Sequence, residues 1–268
     1  SEYWKPGTDH REMIVKLVGS LVRDGDVVVV SEKAIAVAQG RICDESRFMP
    51  SLSARLLATL WMRKVWGYFL GPLSRMSRVN IGRVRNYPVK EGAAHKQIAL
   101  IYSGFLQSLR HYSEGGIDVS NVPYAYACIP TQDTTCVANE IKRYIKMKLR
   151  VGVDVMISDS DKTYSLHNIH LASRFSFITG IHCLGFISFV LGRFLRLRAR
   201  STPIALTSRE KDPDHALRMA AIANKARGNG AGKTIWDIAE RFGVEITGVT
   251  WEMLESLPHY PVVIVRRC

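Results

Sequence analysis

At 268 residues, with 47% hydrophobic and 23% charged residues, the chain has the composition of a folded protein with a substantial core, in one large domain or two lobes, and not of a disordered one. Lys and Arg number 37 against 24 Asp and Glu, a formal charge of +13 that favours anionic partners: nucleotides, phosphorylated substrates or nucleic acid. Five cysteines, Cys43, Cys128, Cys136, Cys183 and Cys268, show no CxxC spacing and are odd in number, which argues against a zinc ribbon or a disulfide framework and for a reducing cytoplasm.

The opening SEYWKPGTDH lacks the basic-then-apolar pattern of a secretory leader. Residues 9–22 carry helix periodicity in Met13, Ile14, Leu17, Val18 and Leu21, and stop at the turn Arg23-Asp-Gly25. The β-branched run 26–33, DVVVVSEK, reads as a buried strand, and residues 34–38 open a helix that Gly40-Arg41 breaks. Residues 51–68, introduced by Pro50 and Ser51, predict a helix whose apolar face carries Leu52, Leu56, Leu60 and Trp66. Residues 71–96 read as basic and irregular, 97–106 as a strand, and 139–149 as a basic helix.

Residues 151–162, VGVDVMISDSDK, alternate as a strand that ends in Asp159-Ser160-Asp161. Carboxylates at the C-terminal end of a strand suit a hard cation, because Mg²⁺ or Mn²⁺ takes oxygen ligands and bridges them to phosphate; an Asx-rich turn is the plain alternative. The uncharged stretch 175–192 reaches the lower edge of a membrane span, yet Gly180, His182, Gly185 and its hydroxyl residues suit two buried strands joined at a glycine turn. Residues 193–200 alternate as a strand with one basic face, against substrate or solvent.

Residues 226–234, ARGNGAGKT, look at first like a phosphate-binding P-loop. A Walker loop needs a glycine five positions before Gly232, where Arg227 stands, and it follows a strand, whereas residues 214–226 read as a helix. Two readings stay open: a glycine turn ending a helix, or a phosphate site of another architecture. Helical segments at 235–242 and 250–257 and a strand at 261–267 close the chain.

Taken in order, WKPGTD, DGDVVVV leading into AxGR, FxPS opening a helix, GIDVSNV, ISDS, GNGAG and PVVIVR resemble the coenzyme F-420: L-glutamate ligase family. GIDVSNV is the most specific of these motifs. The resemblance implies an α+β fold of mixed sheets with surrounding helices, built as one unit over 1–268 with a helical insertion at about 234–259, and paired as an intertwined homodimer. It implies a GTP- and Mn²⁺- or Mg²⁺-dependent enzyme that adds L-glutamate to a deazaflavin coenzyme precursor, or to a related acid, through an acyl phosphate, with no membrane involved.

Position by position, it implies metal ligands at Asp118 and Asp159, with Ser160 at the place of a second-metal ligand. It also implies nucleotide contacts from Lys33, Asn121 and the loop Gly228, Asn229, Gly230 and Gly232, where Lys233 adds a charge that the family loop does not supply. The chain departs from the pattern at Glu32 and Val37, where the family has Ser and Lys, in the segment after ISDS, and at Asn229, where a Glu or Gln serves the metal better. His167 and His170 read as extra ligands, a proton acceptor or plain loop residues. These departures also allow a catalytically altered relative that binds nucleotide or RNA, with salt-sensitive affinity. A nucleic-acid protein of unrelated fold finds no aromatic-basic motif here.

Overall fold

The computed structural model describes residues 2–208 and 212–266. The chain runs α1 (His10–Val18), β1 (Val27–Ser31), α2 (Glu32–Ala38), β2 (Ile42–Asp44) and α3 (Leu52–Leu56), which continues as a π-helical run, Leu57–Leu70. Four helices follow, α4 (Gly71–Leu73), α5 (Arg78–Arg85), α6 (Val89–Tyr102) and α7 (Phe105–Ser108), then β3 (Tyr126–Cys128) and α8 (Thr134–Leu149). The second half holds β4 (Asp154–Leu166), β5 (Ile169–Ala172), β6 (Ile181–Cys183), α9 (Phe186–Phe194), β7 (Arg198–Leu206), α10 (Pro213–Arg227), α11 (Ile235–Phe242), α12 (Trp251–Glu255) and β8 (Val262–Val265). This is an α+β architecture with a mixed sheet and surrounding helices.

The main sheet has the order β6-β5-β4-β1-β8, with β7 on the other side of β4. β1 runs parallel to β4 and antiparallel to β8, while β7 lies antiparallel along nearly all of β4. The valines of β1 explain why it sits centrally: Val28 and Val30 enter one core with Ile14, Ile141 and Ile145 from α1 and α8, and Val27 and Val29 enter another with Leu217 and Ala220 from α10. A strand covered on both faces reads as a continuous apolar run, and each fully buried valine contributes about 2 kcal/mol. A third core, around Met62, Trp66, Val84 and Tyr87, joins the helices of residues 52–102 to α9.

Several expectations from sequence are corrected. The outward face of α3 and its π-helical extension carries Leu52, Leu56 and Leu60, whereas Ala54, Leu57, Ala58, Met62 and Trp66 are buried. Residues 71–96 are largely helical, and the strand expected at 97–106 is the end of α6 followed by α7. α6 is buried on several sides, through Ala93, Lys96, Ile98 and Ala99, so it lacks the one-sided stripe by which a helix is read. The stretch 175–192 forms one short strand, β6, and then α9, not two strands. Among the described residues no helix is long and apolar enough to cross a membrane. Of the strand expected at 193–200 only the end belongs to β7, and part of the strand expected at 261–267 lies outside the described residues.

β4 does not end at Asp159. It continues to Leu166, but pairing with β7 jumps from Asp159↔Thr202 to Lys162↔Ser201, leaving Ser160 and Asp161 in a bulge. Bulges re-aim side chains next to functional sites, and this one turns successive acids toward different partners.

Candidate functional site

α10 ends at Arg227, and the chain leaves it through Gly228 (φ 73°) and Gly230 (φ 59°). Both values lie in the left-handed region, which glycine enters without steric cost. The Asn121 amide clasps the loop: its Oδ1 accepts from Ala231 N at 2.8 Å and its Nδ2 donates to Gly232 O at 3.1 Å. A Cβ on Gly230 would stand 2.7 Å from Asn121 Oδ1. Tyr3 holds Asn121 in turn, its hydroxyl donating to Asn121 O at 2.5 Å.

Asp118 lies on the turn before β3, where Oδ1 accepts from Ser120 N at 2.7 Å and Oδ2 from Lys33 Nζ at 2.5 Å. Lys33 also donates to Ser120 Oγ at 2.8 Å. Burial opposes the Lys33 charge, but the Asp118 carboxylate outweighs it and raises the lysine pKa. Asp159 is arranged alike: Oδ1 accepts from Ser160 N at 2.6 Å and Oδ2 from Arg174 Nη1 at 2.7 Å. Burial disfavours its ionised form, but Arg174 outweighs that and lowers its pKa. Arg174 also grips Glu32, with Nη1 on Oε2 and Nη2 on Oε1 at 2.9 Å. The backbone of Gly116 (φ 98°) makes room for that guanidinium, since a Cβ there would lie 2.5 Å from Nη1.

Every site residue read from sequence, Lys33, Asp118, Asn121, Asp159, Ser160, Gly228, Asn229, Gly230, Gly232 and Lys233, borders one cavity of about 510 Å³. Val37 borders it too, while Glu32 is buried against Arg174. His167 occupies the turn between β4 and β5, and His170 is buried against Ser165 Oγ at 2.8 Å; neither borders this cavity. A second cavity of about 460 Å³, walled by Tyr87, Tyr112, Phe189 and Trp236, meets the first at Asp118, Ser120, Ser160, Lys162 and Lys233. The sequence reading had passed over Arg174, Lys162 and Arg227. Of these only Arg227 carried a local signal, as the residue standing where a Walker loop has glycine.

The chemistry of the donors bears on a metal. Among the described residues no three His, Cys, Asp or Glu side chains converge on one point, and all four oxygens of Asp118 and Asp159 accept from N–H donors of the chain. Mg²⁺-type ions commonly take one or two carboxylates and complete their shell with water and substrate phosphate. Two acids and the Ser160 hydroxyl on one cavity therefore fit an ion that arrives with phosphate, and not a preformed protein cage.

A family model described as F420-0:Gamma-glutamyl ligase matches residues 2–179. An uncharacterised protein of Methanocaldococcus jannaschii is 33% identical over 279 aligned residues, which cover 99% of this chain and 94% of that protein. The family match spans more than half of the chain and takes in Lys33, Asp118, Asn121, Asp159 and Ser160, and on these grounds the chain belongs to the F420-0:gamma-glutamyl ligase family.

Proposed function

We propose that the chain is a GTP- and divalent-metal-dependent amide ligase that adds L-glutamate to a coenzyme F-420 precursor or a related acid. The observation that carries this reading is the meeting of two cavities at Asp118, Ser160 and Lys162, one rimmed by the glycine loop and Asp159 and one walled by aromatic rings. The first suits a nucleotide and the second a drug-sized acid. In the first half-reaction a carboxylate oxygen of the acid attacks the terminal phosphorus of GTP, the bond to the β–γ bridging oxygen breaks, and GDP leaves with that electron pair. In the second the glutamate nitrogen attacks the acyl carbon, the bond from that carbon to the phosphate oxygen breaks, and the amine proton passes to phosphate or solvent.

Such transfer needs positioning and charge neutralisation more than covalent help. Loop N–H groups of Gly228, Asn229, Gly230 and Gly232 would face phosphate, Asn121 holds the loop in shape through Ala231 N and Gly232 O, and Lys33 and Arg174 fix the rotamers of Asp118 and Asp159. A Mg²⁺ or Mn²⁺ ion held by Asp118, Asp159 and the Ser160 hydroxyl would supply further neutralisation of phosphate charge. The working unit is a homodimer. The test is GDP release by purified protein given GTP, Mn²⁺, L-glutamate and the coenzyme precursor. Asp118→Asn and Asp159→Asn are each expected to lower the rate on the order of a hundredfold or more, with the circular dichroism spectrum unchanged; a fully active Asp159→Asn protein would sink the reading.

A further inference from the structure

The bulge in β4 leaves Lys162 on the boundary between the two cavities. The acids beside it are committed elsewhere. Asp161 is held bidentate by Arg110, at 2.5 and 3.1 Å, and Asp159 by Arg174 at 2.7 Å. Lys162 Nζ donates to Ser201 Oγ at 3.1 Å, which leaves two of its three ammonium hydrogens uncommitted among the described residues. Lys233 borders both cavities as well, and forms no hydrogen bond or ion pair among the described residues. Arg227 borders the nucleotide cavity. Its Nη2 donates to Ser158 Oγ at 2.8 Å, and its Nη1 is buried with no hydrogen-bond partner among the described residues.

Three cations thus crowd one corner with too few anions. Lys162 is half-buried at that corner. Burial brings the Arg227 pKa down to about 10. A buried guanidinium N–H without an acceptor is costly, and an incoming anion would relieve both that cost and the mutual repulsion.

We propose that Lys162, Lys233 and Arg227 form a seat for the terminal phosphoryl group of a nucleoside triphosphate, where the nucleotide cavity meets its aromatic neighbour. The inference rests on the nucleotide reading above and deepens it, by joining Lys233 with Lys162 and Arg227, which the sequence motifs do not assign to the site, as the charge that steadies the terminal phosphate. Lys162 and Lys233 face the acid's cavity and so lie along the path of transfer, whereas Arg227 grips the phosphate from the nucleotide side.

The experiment is calorimetric titration of the full chain with GTP and with GDP, in Mg²⁺, for wild type, Lys162→Met, Lys233→Met, Arg227→Met and Lys162→Arg. Wild type is expected to bind GTP more tightly than GDP. Each methionine variant is expected to weaken GTP about tenfold, the scale of a charged hydrogen bond, and GDP by less than about twofold, with Lys162→Arg close to wild type. Variants that keep the wild-type ratio of GTP to GDP affinity, or that lose both nucleotides equally, overturn the seat. Wild type that binds neither nucleotide overturns the nucleotide reading itself. Lys233 is exposed, so its variant decides the matter even where Lys162→Met fails to fold.

Discussion

His95 is enclosed between two carboxylates, with Nδ1 at 2.6 Å from Glu45 Oε1 and Nε2 at 3.0 Å from Glu114 Oε2, and Lys96 Nζ reaches Glu114 Oε1 at 2.5 Å. Burial opposes an imidazolium here, but Glu45 and Glu114 outweigh it and hold the His95 pKa at about 10. A folded pKa above the unfolded value means that protonation stabilises the fold: the contribution is complete below about pH 6.5 and is lost as pH rises through about 10. Urea unfolding at pH 7 and pH 10 is therefore expected to show lower stability at the higher pH. His95→Gln is expected to lose about 3–5 kcal/mol at pH 7, because it leaves two buried acids facing each other, and to flatten the slope between those pH values. An unchanged slope would mean that His95 is neutral in the fold. This cluster lines the aromatic cavity, so the same histidine that stabilises the helical region also shapes the wall of that cavity.

The glycine loop and the β4 bulge are the elements that turn a mixed sheet into a site. Gly230→Ala forces a side chain into a left-handed position and against Asn121 Oδ1, at 2.7 Å. The conformational part alone costs roughly 1–2 kcal/mol, so GTP affinity measured by calorimetry is expected to fall about tenfold or more, at 1.4 kcal/mol per decade. Gly228→Ala meets no atom within 4 Å and suffers only the strain of its φ, so it is expected to be milder. An equal effect of the two substitutions would remove Asn121 from the account. At this scale much was legible in the sequence. The valine run of β1, the alternation entering β4, the helix before the loop and the glycine punctuation are local patterns, and all carried through. What failed was nonlocal. The bulge depends on β7, Arg110 meets Asp161 from 51 residues away and Arg174 meets Glu32 from 142, and no periodicity encodes such encounters. For the same reason Glu32 read as a departure from a motif, when in the fold it is the partner of an arginine that holds Asp159.

For the whole molecule the outstanding facts are a formal charge of +13 and an apolar stripe turned to solvent. Leu52, Leu56 and Leu60 are 73%, 46% and 55% exposed, and Phe69 at the far end of the same helical run is 70% exposed. Exposed single leucines are ordinary, but several along one face mark an interaction surface, and a second copy of the chain is the occupant that the homodimer reading assigns to it. Two chains of like charge repel each other, whereas apolar burial is insensitive to screening, so the two contributions respond differently to salt. Light scattering after size exclusion is expected to give twice the 30.1 kDa of one chain. Raising the salt concentration should tighten the pair, because it screens the repulsion and leaves the apolar contact intact. The double substitution Leu56→Glu with Leu60→Glu places two carboxylates in that contact and is expected to yield single chains at the same concentration, with the α-helical signal retained. Single chains of wild type at every salt concentration would refute the dimer. A dimer untouched by the two glutamates would move the interface elsewhere, with the exposed Phe175 and Phe177 as the next apolar pair to substitute.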